Sequence, residues 1–78
     1  MVRMEFELSK AIEARALDQI HYLQEDIGEL NCLREAFSED WEIVELTRAI
    51  IHEETRLIQF LQMEVESART ARKESERI

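Results

Sequence analysis

The chain contains no proline and only one glycine, Gly28, among its 78 residues. Short strands joined by tight turns need residues that tolerate unusual backbone angles, so a sandwich or barrel is out of reach. Long helices need neither residue, and the apolar positions repeat as helices require. Ile20, Leu23, Ile27 and Leu30 are spaced by three and four, with Ile12, Ala16, Leu17, Leu33 and Phe37 extending the same arc. This predicts a first helix over about residues 10–36. A second apolar set predicts another helix over about 39–75. Val44, Ile51, Ile58 and Val65 form one heptad line, Ile43, Ile50 and Leu57 the line beside it, and Leu46, Phe60, Leu61 and Ala68 complete the set.

Between the two lies Phe37-Ser38-Glu39-Asp40. Ser38 is the expected N-cap, with Glu39 and Asp40 placing negative charge on the first turn of the second helix. Turn residues 37–39 are too few for anything but an antiparallel hairpin of two helices. Ahead of the first helix, Val2, Met4, Phe6 and Leu8 alternate with Arg3, Glu5 and Glu7. Period two is a strand signature, so residues 1–9 read as a short strand or arm ending at Ser9 as N-cap. The competing reading is an early start of the first helix, since Met, Glu and Leu are good helix formers. Residues 76–78 read as a frayed tail.

The apolar arc of the second helix spans about 200°, where a surface helix needs little over ~100°. One neighbour cannot cover such an arc, and an exposed strip of Ile, Leu and Val marks an interaction surface. The expected architecture is therefore all-α: a hairpin that pairs with itself as a homodimer of the four-helix-bundle type. Its self-association interface would draw on Ile20, Leu23, Ile27 and Leu30, and on Ile43, Val44, Ile50, Ile51, Leu57, Ile58, Leu61 and Val65. Gly28 sits at the edge of the first arc and suggests close approach of a neighbouring helix. If the turn centres on residue 38, Glu54 lies level with Tyr22 and near His21, a candidate polar layer that fixes register.

Charge narrows the function. Acids outnumber bases 18 to 10, for a net charge of −8. Phosphate contacts need clustered Lys and Arg, so direct nucleic-acid binding is not expected. Hydrophobic residues make up 45% of the chain, too many for disorder. No apolar run approaches a membrane span, and no signal-peptide pattern is seen. One cysteine, Cys32, builds no intramolecular disulfide framework, which points to the cytoplasm. The partners expected are a second copy and another protein, one with a basic surface, to which the acids of residues 39–66 would steer it. Trp41, on the polar side of the second helix, is the candidate partner contact.

Two constellations offer chemistry instead. Asp26-x-x-Glu29 followed by Glu42-x-x-Glu45 could hold Mg²⁺ against a nucleoside triphosphate. The arrangement is similar to the ExxE…ExxD pattern of the all-α nucleotide pyrophosphohydrolases of the MazG type. It departs from it at Asp26 and Glu45, and that resemblance would imply a Mg-dependent hydrolase. Asp18-x-x-His21 with His52-Glu53 would be a carboxylate and histidine metal site, although no Glu-x-x-His occurs. Cys32 has no electropositive neighbourhood that would activate a thiol. The expected function is accordingly non-enzymatic, with no cofactor and no metal: an adaptor, regulator or inhibitor acting through protein–protein contact.

Overall fold

The computed structural model describes residues 2–76, with side chains over residues 6–74. Two helices make up nearly all of it, α1 over Val2–Ala36 and α2 over Trp41–Glu76. They fold back on each other as an antiparallel hairpin, a rod with extents of 59 × 14 × 13 Å. No strand occurs among the described residues.

The alternating segment at residues 2–8 is therefore helix, not strand or arm, and α1 starts eight residues earlier than residue 10. The physical reason is backbone satisfaction. A lone strand here would have no neighbour for its N–H and C=O groups, whereas a helix pairs them internally. Ser9 consequently lies inside α1 and caps nothing. Its hydroxyl accepts a hydrogen bond from Arg72 Nη1 at 3.2 Å, tying α1 to the last turns of α2.

The closed end is made by residues 37–40. The Phe37 N–H donates to the Leu33 carbonyl at 3.0 Å and ends α1, and the Asp40 N–H donates back to the Phe37 carbonyl at 2.9 Å. Asp40 is the N-cap of α2. Its Oδ1 accepts from the Glu42 and Ile43 N–H groups at 3.1 and 3.3 Å, and its carbonyl takes the first helical bond, from Val44. Ser38, the expected cap, stands within the turn. Reversing the chain consumes Phe37 through Glu39, and this moves the cap two residues onward.

The seam between the helices is narrow. Ile20, Ile58 and Val65 are buried, and so is Thr47 at 3% exposure. Burial of the Thr47 hydroxyl carries no penalty, because it donates within its own helix to the carbonyls of Ile43 (2.8 Å) and Val44 (3.0 Å). Gly28 does not mark a close approach within the hairpin. It is exposed, and a Cβ added there would meet no atom within 4 Å.

Candidate functional site

Of the residues expected to drive association, Ile20, Ile58 and Val65 are used up inside the hairpin. Leu23, Ile27, Leu30, Ile43, Val44, Ile51 and Leu61 are half-buried, and Ile50 and Leu57 are exposed. Leu8, Ile12 and Leu33 on α1, Phe37 in the turn, and Leu46 and Phe60 on α2 are exposed as well, several by more than half: Leu8 62%, Ile12 57%, Leu46 64%, Phe60 58%.

The placement of these exposed residues is systematic. On α1, Ile12 and Leu33 lie to one side of the buried position Ile20, following helical period, and Phe37 follows just past the helix end. On α2, Leu46, Ile50, Leu57 and Phe60 lie to one side of the buried line through Thr47, Ile58 and Val65. Antiparallel helices wind in opposite senses when viewed down one axis, and this brings both stripes to the same face of the hairpin. A groove bears this out at the open end. Leu8, Ile12 and Ala16 of α1 and Val65, Ser67 and Ala68 of α2 line a concavity of about 370 Å³ on that face.

The opposite face is mostly polar, with Leu17 an exposed aliphatic residue on it. At its open end Phe6, Lys10, Arg69, Arg72 and Lys73 surround a shallow cleft. Lys10 Nζ stands 5.2 Å from the Phe6 ring centroid and the Arg72 guanidinium 5.9 Å from it. Glu13 joins α1 to α2 here, accepting a charged hydrogen bond from Arg72 Nη2 and pairing with Arg69 Nε at 3.3 Å. The Arg72 hydrogen bond, aided by both positive charges, holds the Glu13 carboxyl below its ordinary pKa. Cys32 is exposed.

Glu54 finds a different neighbour from the one its spacing suggested. Tyr22 is 69% exposed, and His21 pairs with Glu25 of its own helix at 3.2 Å. Glu54 instead meets Asp26, about one turn nearer the closed end, because the turn occupies residues 37–40 and shifts the register. The hydrogen bond with Asp26, desolvation and the Asp26 charge push the Glu54 carboxyl up to about 6. Two carboxyl groups can share a bond only while one carries a proton. When Glu54 is ionised, its buried Oε2 has no donor among the described residues. The Asp26–Glu54 pair lies beside the apolar face.

Other expected constellations are not assembled. Glu45 lies 3.8 Å from Arg48, and Asp26 is engaged with Glu54. No group of three carboxylate, imidazole or thiol side chains gathers closely enough to hold a metal ion among the described residues, and this includes Asp26, Glu29, Glu42 and Glu45. Trp41 is 73% exposed on the first turn of α2. Among the described residues no helix is long and apolar enough to cross a membrane. Sequence reasoning missed Thr47 as a core position, although Thr47, Glu54, Leu61 and Ala68 stand seven apart on one heptad line. It also missed the Arg72–Glu13 clasp, which depends on the register. The chain matches no known protein family, no curated protein and no solved structure.

Proposed function

We propose that the chain is a non-enzymatic, cytoplasmic interaction module that acts as a homodimer. Two hairpins join through the apolar face into a four-helix bundle, and the acidic exterior docks on a basic surface of another protein.

The observation that carries this reading is the area left in water. The chain exposes 6638 Å². A compact monomer of its 9.3 kDa mass exposes about 5,000 Å² by the usual scaling. The excess of roughly 1,600 Å² per chain exceeds the ~800 Å² each partner gives up in a standard interface. It reaches the range of obligate homodimers, whose interfaces resemble a core cut in half. Among the described residues three buried aliphatic side chains are also a thin core for a rod of this length, and oligomerisation is the common remedy.

Sedimentation equilibrium at micromolar concentration tests the reading. A dimer is expected, with thermal unfolding that shifts upward as concentration rises. A folded monomer at that concentration refutes it. Docking on a basic partner would weaken steeply with added salt. Trp41 fluorescence reports whether the closed end takes part.

A further inference from the structure

We infer that the two copies pack face to face in opposite directions, the closed end of one lying in the open-end groove of the other. This rests on the dimer proposed above and adds its orientation and register.

Shape is the first argument. The apolar face is not uniform along its length. Near the open end Ala16, Ser67 and Ala68 are small, and between walls that include Leu8, Ile12, Glu13 and Glu64 they leave a 370 Å³ groove between the helices. Near the closed end the same face carries Leu33, Phe37, Leu46 and Ile50, all exposed. If the copies ran in the same direction, groove would face groove and leave a void, while bulky side chains met bulky side chains. Running them in opposite directions sets the closed-end side chains of each copy over the groove of the other, between its Leu8 and Ile12 walls. Interiors pack to crystal-like density, so this complementarity decides between the two arrangements.

Charge gives the second argument, independently. Asp26, Glu53 and Glu54 lie at one level of the rod beside the apolar face, about six residues to the closed-end side of its midpoint near residue 20. Arg15 lies about five residues to the other side, near the same face, and makes no ion pair within its own chain among the described residues. A dimer with copies running the same way sets each level against itself, gathering six carboxyl groups against two Arg56 side chains and leaving both Arg15 side chains together with both Glu64 side chains. Opposite directions divide the six into two groups of three. Each group is met by the partner's level that holds Arg15, where Glu64 is an added acid and Glu13 is already paired with Arg69 and Arg72. Like charges packed together raise the energy steeply in a partly desolvated site.

A nitroxide label on Ser38→Cys in a Cys32→Ser background tests the orientation by pulsed dipolar spectroscopy. Opposite directions place the two closed ends about 50 Å apart, given 1.5 Å per residue along helices of this length. A separation under about 25 Å overturns the orientation and leaves the dimer standing. Loss of dipolar coupling with sedimentation as a monomer overturns both readings. As a second variant that leaves the turn untouched, Arg15→Glu is expected to weaken dimerisation about tenfold, and Arg15→Glu with Glu54→Arg to recover it. An unchanged dissociation constant for Arg15→Glu overturns the pairing.

Discussion

Gly28→Ala is the substitution whose effect the structure specifies most fully. Gly28 lies in the interior of α1 with an ordinary helical backbone, as no glycine among the described residues has a positive φ. An added methyl group meets nothing within 4 Å. The gain is therefore the propensity difference alone, about 1 kcal/mol per chain, much of it from reduced freedom of the unfolded chain. In a dimer the gain doubles, but so does the unfolding entropy, and the rise in Tm stays at about 4–8 °C. Far-UV circular dichroism melts at one fixed chain concentration measure it. A urea titration should give a higher midpoint with an unchanged slope. Gly28 stands on the face away from Leu46 and Phe60, so association through the apolar face leaves it open. A fall in Tm would show that a neighbouring helix approaches Gly28 in the assembly, and would refute the assignment of the interface to the opposite side.

Other consequences can be measured on the same samples. Ile58→Ala removes a buried side chain from a thin seam and should cost about 2–5 kcal/mol in urea unfolding. Asp40→Ala removes the cap of α2 and should cost about 1 kcal/mol, with Asp40→Ser close to neutral. The pH dependence follows from two carboxyl groups moved in opposite directions. The Glu54 carboxyl is raised from 4.5 to about 6, so its contribution is complete below 4.5 and fades as pH rises through 6. The Glu13 carboxyl is lowered from 4.5, so its contribution is present above that value and fades as pH falls below it. Tm should accordingly peak in mildly acidic solution, and Glu54→Gln should flatten the fall between that peak and neutrality; a Glu54→Gln profile that still falls as steeply would assign the fall to net charge instead.

Much of the fold was legible in the chain itself. Two helices, their approximate lengths and the hairpin follow from period and from the scarcity of glycine and proline, because helix formation is governed by neighbours three and four residues away. The early start of α1 was less legible, since Val2 to Leu8 fits two periods at once and only the lack of a partner strand separates them. The cap was mislocated for a similar reason. Ser38 and Asp40 are both good caps, and the number of residues the reversal consumes selects Asp40.

The sequence alone determined that this is an all-helical chain with more apolar surface than two helices can hide from each other. Tertiary structure decided how that surface is shared out. The register, set by the turn at 37–40, brings Arg72 to Glu13 and Asp26 to Glu54, and leaves Tyr22 and His21 facing water. It also puts the leftover stripes of both helices on one face, with a groove at the open end and exposed Leu33, Phe37, Leu46 and Ile50 at the closed end. Periodicity within a helix cannot foresee this. It says which residues share a side, whereas which sides of two helices coincide depends on where the chain turns.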